Sequence, residues 1–249
     1  MATLASPDNP LIKRLARLTE SRHRREEGLF LVEGRRAISG FLEAGWTPAH
    51  LLVRDDEIAP PGWPEPTTVS ARVMDKLSQS VTAPGFLAAF ALRPPDPLDP
   101  ALGGLVLAEV SDPGNLGTLV RTAAAIGVAQ VVALGGADPW SHKAVQASAG
   151  ALSRVQVHEP PPAGGLAQLA ATATGVPLCA LVAQGGIDPE RLTPGPRWLV
   201  VGGEAHGIRD DWLPACGERA TLPMPGGTES LNAAIAGAIA CYLLWRRPA

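Results

Sequence analysis

Residues 112–127, with the sequence DPGNLGTLVRTAAAIG, decide the fold of this chain. They follow an apolar run through an Asp-Pro-Gly corner and lead into an alanine-rich segment, which predicts a strand, a loop and a helix in succession. Such a corner either forms a ligand-binding loop at the carboxyl end of a strand or simply turns the chain. The other glycine-rich corners of the sequence decide between these two interpretations.

Continuous apolar runs, bounded by glycine or proline, recur through the C-terminal part of the chain. Runs without alternation are typical of parallel strands that helices cover on both faces. We therefore predict a doubly wound α/β domain, which ends in a helix over residues 230–246. Its four predicted strands lie within GLVLAEV (104–110), VAQVVALGG (128–136), VPLCALVA (176–183) and RWLVVGGE (197–204).

A smaller α/β arrangement is predicted for the N-terminal part. Asn9 can cap a helix that starts at Pro10 and runs to about Thr19. Strand, helix, strand, strand, helix and strand patterns then follow one another as far as residue 92. The stretch RPPDPLDP (93–100) is too rich in proline for regular structure. We expect a small domain over residues 1–95, a linker over 96–102 and a larger domain over 103–249.

Positive charge is concentrated near the N-terminus, although the whole chain has a net charge of −3. Residues 11–36 contain eight lysine and arginine residues against four glutamates, so this segment carries +4 and the rest of the chain −7. The asymmetry predicts an anionic partner for this segment. A solvated helix face of mixed charge is the alternative. The cations expected to contact the partner are Lys13, Arg14, Arg17, Arg22, Arg24, Arg25 and Arg35.

The composition argues against several classes of protein. Three widely spaced cysteines, Cys179, Cys216 and Cys241, indicate neither a disulfide framework nor a zinc site. The longest apolar stretch, residues 231–245, contains an asparagine and is too short to cross a bilayer. The N-terminus carries no apolar leader, so we expect a cytoplasmic protein.

Three glycine-rich corners are predicted at the carboxyl ends of parallel strands, where the ligands of open α/β sheets bind. The first places Asn115 at the start of a helix and Arg121 six residues later. These two side chains can hold a ribose or phosphate oxygen, or they can serve as a plain helix cap and a surface cation. The second corner, VVGGEAHGI (200–208), offers bare glycine backbone beside Glu204, which can face a substrate or pair with an arginine.

The third corner lies in LPMPGGTESLNAAIAGAIACYLL (222–244) and leads into an apolar helix. Thr228, Glu229, Ser230 and Asn232 crowd the start of this helix, and capping accounts for one or two of them. We predict that the Asn232 amide is buried and needs hydrogen-bond partners, which favours a functional site.

Other ligand loops are not found in the sequence. No P-loop, HExxH, GxSxG or paired metal-ligand cluster is found in the sequence, which argues against hydride transfer, nucleotide hydrolysis and metallohydrolysis. Residues 112–117 also lack the second glycine that a dinucleotide-binding GxGxxG loop requires.

Taken in order, residues 112–127, 200–208 and 222–240 resemble the three motifs of the SpoU branch of the SPOUT methyltransferases, and HKAVQASAGAL (142–152) extends the similarity. This family transfers a methyl group from S-adenosylmethionine to a ribose 2'-hydroxyl of RNA. Segments 9–18 and 28–38 are similar to the ribosomal-protein-like substrate-binding domain of its rRNA-modifying members. The resemblance implies a C-terminal α/β domain with a parallel sheet and a deep trefoil knot, and a homodimer.

The resemblance also implies roles for individual residues. Proton removal from the ribose, or stabilisation of the developing alkoxide, falls to Arg121; an arginine pKa above about 12 disfavours a neutral base, so both roles stay open. No metal is implied. The residues that match the catalytic positions are Asn115, Arg121, Glu204, Ser230 and Asn232. Those that match the backbone positions holding the bent cofactor are Gly202, Gly203, Leu222, Met224 and Leu231.

The expected activity is ribose 2'-O-methylation of RNA. Ribosomal RNA is favoured over transfer RNA, because a separate basic N-terminal domain can grip folded RNA through its phosphates and shape. Two hypotheses from other classes remain: a non-catalytic RNA-binding or ribosome-associated protein that retains the fold, and a nucleotide-dependent α/β enzyme. Binding of S-adenosylmethionine distinguishes the methyltransferase from both.

Overall fold

The structure is a computed structural model that describes residues 3–160, 164–173, 175–228 and 230–246. Within these ranges the chain forms two β-sheets flanked by helices. The first sheet contains β1 (Leu29–Glu33), β2 (Pro48–Arg54), β3 (Thr67–Val69) and β4 (Phe86–Ala91). The second contains β5 (Gly104–Ala108), β6 (Gln130–Leu134), β7 (Gln156–His158), β8 (Leu178–Leu181), β9 (Trp198–Gly202) and β10 (Glu218–Ala220).

The helices confirm most of the predicted pattern. Asn9 caps the first helix through its side chain, as expected. The second helix was not predicted, because its sequence SRHRREE is polar nearly all round and has no apolar period. The helices are α1 (Pro10–Ala16), α2 (Ser21–Glu27), α3 (Arg35–Glu43), α4 (Ala71–Leu77), α5 (Pro113–Ala125), α6 (His142–Ser148), α7 (Gly165–Thr172) and α8 (Ala233–Trp245).

The first sheet has the strand order β1-β4-β2-β3. Strand β4 runs antiparallel to both of its neighbours, whereas β3 runs parallel to β2. Two separate apolar clusters cover its faces: α1 and α4 pack on one face, and α3 packs on the other. The two faces therefore present different helices to the surroundings.

The second sheet is entirely parallel, with the order β10-β8-β9-β5-β6-β7. Helices α5, α6 and α8 cover one face and α7 covers the other, so the predicted doubly wound α/β domain is confirmed. The edge strands β7 and β10 were not predicted, because three residues are too few for a recognisable pattern. The chain adds β6 and β7 on one side of β5, crosses to β8 on the other side and then inserts β9 between β8 and β5. A crevice forms between β9 and β5, because the direction of strand addition reverses there.

Apolar and charged contacts join the two sheets. The Trp140 ring packs 4.8 Å from that of Phe30, centroid to centroid, within one continuous apolar cluster. The proline-rich stretch predicted to be irregular contains no helix or strand. The cysteines Cys179, Cys216 and Cys241 are buried and not in disulfides. Among the described residues, no helix combines the length and the hydropathy needed to cross a bilayer.

Candidate active site

Three loops converge at the carboxyl end of the second sheet. Strands β5 and β9 are direct neighbours, with Ala108 opposite Gly202, so the chain leaves both strands at the same place. The β5 loop leads into α5, and the β9 loop carries Glu204. The segment before α8 completes the group because α8 packs against α5. The three corners singled out in the sequence therefore lie together.

A cavity of about 290 Å³ opens between the β9 loop and the segment before α8. Its volume is close to the lower end of the range for small-ligand sites, about 300 Å³. Glu204, Ser230 and Asn232 also line it. Its walls include all five residues predicted to hold the cofactor: Gly202, Gly203, Leu222, Met224 and Leu231.

Close backbone packing explains the two glycines of the β9 loop. A Cβ atom at Gly202 would collide with the backbone of Gly207, and one at Gly203 would lie 2.5 Å from the carbonyl oxygen of Glu109. Glu109 itself has a φ of 56°, a left-handed conformation that a residue with a side chain seldom adopts. Local strain and glycine packing thus shape the rim of the cavity.

The Glu204 carboxylate connects the first two corners. It accepts hydrogen bonds from Nδ2 of Asn115 at 2.6 Å and from Oγ of Ser111 at 2.9 Å. The backbone N–H groups of Ser111 and Asp112 donate to it at 3.2 and 3.4 Å. Four donors from one loop therefore hold the carboxylate of another.

The pKa of Glu204 is lowered to about 2. Partial burial by itself would raise it, but the hydrogen bonds from Asn115 and Ser111 stabilise the charged form and outweigh that effect. Glu204 is therefore an anion throughout the physiological range. It acts as a hydrogen-bond acceptor and is unsuited to take up a substrate proton.

Asn232 connects the third corner to the first. Its Oδ1 accepts from the backbone N–H groups of Ala234 and Ile235, which makes it the N-cap of α8. Its Nδ2 donates to Oδ1 of Asn115 at 3.3 Å. The side-chain oxygens of Asn232 and Asn115 both act as acceptors, so their side-chain nitrogens are the donors. These hydrogen bonds form one polar chain from Asn232 through Asn115 to Glu204.

Two predictions about this helix start are wrong. Asn232 is exposed in the single chain, whereas we predicted a buried amide. Helix α8 begins at Ala233 and not at residue 230, because Asn232 occupies the cap position with non-helical dihedral angles. Of the polar residues at this corner, Ser230 is exposed and lines the cavity, whereas Glu229 lies outside the described residues.

Arg121 does not reach the cavity beside Asn115 within one chain. The two residues lie on the same helix, but six residues correspond to about 9 Å along the axis and about 120° around it. Arg121 instead lines a second cavity, together with Arg35, Arg36 and Arg154. Four of the five predicted catalytic residues thus meet in one chain and the fifth does not.

The cations predicted to bind RNA occupy different environments. Arg24 is a correction: its side chain is 4% exposed, forms a 2.5 Å ion pair with Asp138 and donates to two backbone carbonyls, so it is a structural contact between the sheets. A long cationic side chain can be buried when a carboxylate is positioned to pair with it. The charge pattern of the sequence does not show whether such a partner lies nearby in the fold. The others are at least partly exposed, with Lys13, Arg14 and Arg22 paired with nearby carboxylates, Arg17 beside His23, and Arg25 and Arg35 at the surface.

Sequence reasoning missed several residues of the site. Ser111 precedes the first corner by one position, and its hydroxyl gave no signal beyond a polar residue after a strand. Residues 181–183, at the carboxyl end of β8 and just beyond it, line the cavity; the rule that ligands bind beyond parallel strands could have indicated them. Lys143 forms a 2.6 Å ion pair with Asp112, the residue that caps α5.

The cavity lies at the strand ends of a parallel α/β sheet, which is where open sheets of this class bind their ligands. The sequence profile of the SpoU rRNA Methylase family matches residues 104–242, more than half of the chain, and the chain belongs to this family. A second profile, the MRM3-like substrate binding domain, matches residues 9–88. The resemblance noted in the sequence is therefore confirmed.

Individual relatives match nearly the whole chain. An uncharacterised tRNA/rRNA methyltransferase of Synechocystis is 31% identical, over 97% of this chain and 93% of its own. The 23S rRNA (guanosine(2553)-2'-O)-methyltransferase RlmP of Bacillus subtilis is 28% identical, over 98% and 99%. The AdoMet-bound rRNA methyltransferase of Sinorhizobium meliloti is 26% identical and superposes with a TM-score of 0.84, covering 98% of this chain and 97% of its own.

Proposed function

We propose that this protein transfers the methyl group of S-adenosylmethionine to a ribose 2'-hydroxyl of ribosomal RNA. The observation that carries the proposal is the polar chain from Asn232 through Asn115 to Glu204, which borders the cavity between the β9 loop and α8. It unites the three motifs of the SpoU family at one ligand site.

The cavity suits S-adenosylmethionine. Leu181, Leu222 and Met224 offer an apolar wall for a purine ring, and Gly202 and Gly203 line the cavity beside them. The rRNA methyltransferase of S. meliloti, with the same fold, was crystallised with this cofactor. When bound, the cofactor supplies an electrophilic methyl group on a sulfonium.

The residues of the polar chain position the reactants. Because transfer needs the ribose oxygen aligned behind the methyl group, a rigid rim contributes more than a strong acid or base. Glu204, held as an anion, fixes Asn115 beside the cavity, and Ser230 lines the cavity wall. Arg121 stabilises the developing alkoxide or accepts the proton of the 2'-hydroxyl, and the permanent positive charge of a guanidinium favours the first role.

The active form in this proposal is a homodimer. An exposed apolar stripe starts at Leu231, just before the N-cap of α8, and continues along successive turns of the helix; each side chain is 37 to 53% exposed. A stripe of this kind on an otherwise apolar helix fits a second copy of the same chain. In such a dimer, Arg121 of one protomer serves the cavity of its partner, which accounts for its separation from Asn115. The stripe consists of Leu231, Ile235, Ile239 and Tyr242.

Other features of the proposal rest on family membership. They are a deep trefoil knot in the C-terminal part, a cytoplasmic location and a division into an RNA-binding domain (1–95), a linker (96–102) and a methyltransferase domain (103–249). The partly or fully exposed cations Lys13, Arg14, Arg17, Arg22, Arg25 and Arg35 belong to its RNA-binding surface. Ribosomal RNA is the favoured substrate because the matching family is described as rRNA methylases and the relative RlmP is named as a 23S rRNA methyltransferase; transfer RNA is the second candidate.

The decisive experiment maps ribose methylation in total RNA from cells that lack this gene and from their parent. We expect one ribosomal nucleotide to lose its 2'-O-methyl group and to regain it when the gene is restored, but not when Arg121→Ala is supplied. Loss confined to a transfer RNA would favour the second candidate. Unchanged methylation, together with no calorimetric binding of S-adenosylmethionine, would favour the non-catalytic RNA-binding hypothesis.

A further inference from the structure

A second, larger cavity of about 750 Å³ lies between α3 and the helical turn after α6. Four arginines from three separate segments line it: Arg35 and Arg36 at the start of α3, Arg121 on α5, and Arg154 at the end of the turn Ala151–Arg154. We call this cavity the arginine cleft. The three SpoU motifs account for Arg121, but they contain neither Arg36 nor Arg154.

The walls of the arginine cleft are fixed to each other. Helix α3 packs directly against Gly150. Glycine is favoured at this position because φ is 89° and because a Cβ atom would lie only 3.2 Å from the carbonyl oxygen of Ala37. The Ser153 hydroxyl donates to the carbonyl of Gly40 at 3.2 Å, and the indole of Trp46 donates to the carbonyl of Ser153 at 3.3 Å. The arginines therefore stand on a rigid frame.

The positive charge of the arginine cleft is largely uncompensated. Glu43 is the one carboxylate among its described lining residues, and it pairs with Arg154 at 3.4 Å through two mostly exposed side chains. Within the described part of the chain, Arg35, Arg36 and Arg121 have no carboxylate in ion-pair range. Exposed cations gathered in this way repel one another unless an anion binds among them.

The local backbone adds to this field. The first turn of α3 contains Arg35 and Arg36 but no acidic residue. No carboxylate of this turn therefore neutralises the positive end of the helix dipole. Glu33, the carboxylate nearest in sequence, is not available to neutralise the two arginines. It accepts from Ser78, Gln79 and Ser80 and pairs with His142 at 3.0 Å.

We infer that the arginine cleft binds backbone phosphates of the substrate RNA next to the target nucleotide, with Arg36 and Arg154 as positioning residues. The inference rests on the proposed function. Guanidinium groups match phosphate oxygens in a planar, two-point geometry, and four of them spread over a wide cavity suit several phosphates of one strand. Arg121 lies in the same cleft, so a strand held there leads to the residue that serves the ribose.

The cleft shares only Arg35 with the RNA-binding cations predicted from the sequence. The cations of α1 lie on the opposite face of the first sheet from α3, and Lys13 and Arg14 are each paired with a carboxylate. Arg36 and Arg154 therefore present positive charge where α3 meets the methyltransferase part of the chain. They are the better candidates for contacts that set the register of the RNA.

The test compares Arg36→Gln and Arg154→Gln, singly and together, with the matched control Arg72→Gln. Arg72 is exposed on α4, on the far face of the first sheet, and its substitution removes the same charge. The probe is 23S rRNA transcribed in vitro, which is free of modifications. Binding is measured over a series of salt concentrations, methyl transfer with labelled S-adenosylmethionine, and cofactor affinity by calorimetry.

We expect each cleft variant to bind the rRNA about tenfold more weakly. The slope of log affinity against log salt should become shallower by about 0.7 to 0.9 for each phosphate that the variant no longer neutralises. The KM for RNA should rise while kcat and cofactor affinity stay near those of the wild type. The control should match the wild type in every readout, since its charge lies outside the cleft.

Two results would overturn the inference: cleft variants with the wild-type affinity and salt slope, or a control that is weakened as much as they are. The proposed function fails separately. If the wild type transfers no methyl group to any RNA while the cleft variants still bind rRNA more weakly, the phosphate site stands and the methyltransferase does not.

Discussion

Nδ2 of Asn115 donates a 2.6 Å hydrogen bond to Oε1 of Glu204, joining two loops that are 89 residues apart in the chain. Both loops start from adjacent parallel strands, so a short polar bridge is enough to lock them together. The bridge fixes the direction of the Asn115 side chain, and Asn232 supports it from the third loop at 3.3 Å. The rim of the site is thus one hydrogen-bonded unit and not three independent loops.

Glu204→Gln should lower the rate of methyl transfer by about one to two orders of magnitude. Loss of the charge weakens the hydrogen bonds that Glu204 accepts, and hydrogen bonds to a charged group are worth about 1.5–3 kcal/mol each. The new amide also places an N–H donor opposite the donors of Ser111 and Asn115. Single-turnover transfer to rRNA measures the effect, and the exposed Glu65→Gln is its control. Because the pKa of Glu204 is about 2, the wild-type rate should show no titration of this group near neutral pH. Full activity of Glu204→Gln would contradict the positioning role.

Asn232→Ala and Asn232→Ser separate capping from positioning. The alanine variant loses the cap of α8 and should lower the free energy of unfolding by about 1 kcal/mol, together with the rate of methyl transfer. Serine can cap the helix but has no amide to donate to Asn115, so stability should recover and activity should not. Urea unfolding and transfer rates provide the two readouts. A serine variant with the wild-type kcat would show that Asn232 serves only as the helix cap.

Arg121→Ala should abolish methyl transfer and leave affinity for S-adenosylmethionine nearly unchanged, because Arg121 lies outside the cofactor cavity. In the proposed dimer it serves the cavity of the partner. Mixing Arg121→Ala with the impaired Glu204→Gln should therefore raise activity well above that of either variant, since mixed dimers contain one site with both groups intact. Mixing either variant with the double variant should give no such increase. If the first mixture is no more active than Glu204→Gln, Arg121 acts within its own chain or not at all.

Ile235→Glu should convert the dimer to a monomer. Ile235 is 49% exposed in the single chain, so the substitution leaves the fold intact but places a charge in the middle of the apolar stripe on α8. Sedimentation measures the change of mass, and methyl transfer should fall with it. Ile58→Glu, at an exposed position outside the helices and strands, is the control and should leave both unchanged. A dimeric Ile235→Glu protein would place the interface elsewhere.

Acid should weaken the contact between the two sheets through Glu33. Burial would raise the pKa of this carboxyl, but hydrogen bonds from His142, Gln79 and Ser78 outweigh it and lower the pKa from 4.5 to about 2. A lowered pKa adds stability at pH above about 4.5, and this contribution is lost as the pH falls toward 2. Urea unfolding at several pH values should show Glu33→Gln to be less stable than the wild type near neutral pH, with the gap closing in acid. A constant gap would contradict this.

Local pattern was enough for much of the fold. The strands β5, β6, β8 and β9 were predicted from apolar runs, and α1 from its cap and first proline, because burial on both faces and helix capping leave their mark on neighbouring residues. The three glycine-rich corners were found for the same reason. The order of these corners was also enough to indicate the SpoU family, and the match to the family profile confirms it.

Other features depend on residues far apart in the chain, which only the tertiary structure brings together. Arg24 belongs to a basic segment in the sequence, yet it is buried against Asp138. Arg36 and Arg154, separated by more than a hundred residues, face one cleft, whereas Arg121 points away from Asn115 on its own helix. A linear pattern records which side chains a segment carries and how often they recur. The direction of a long charged side chain, however, is set by the partners and the dielectric that packing places around it, so charge arrangement was decided by the fold.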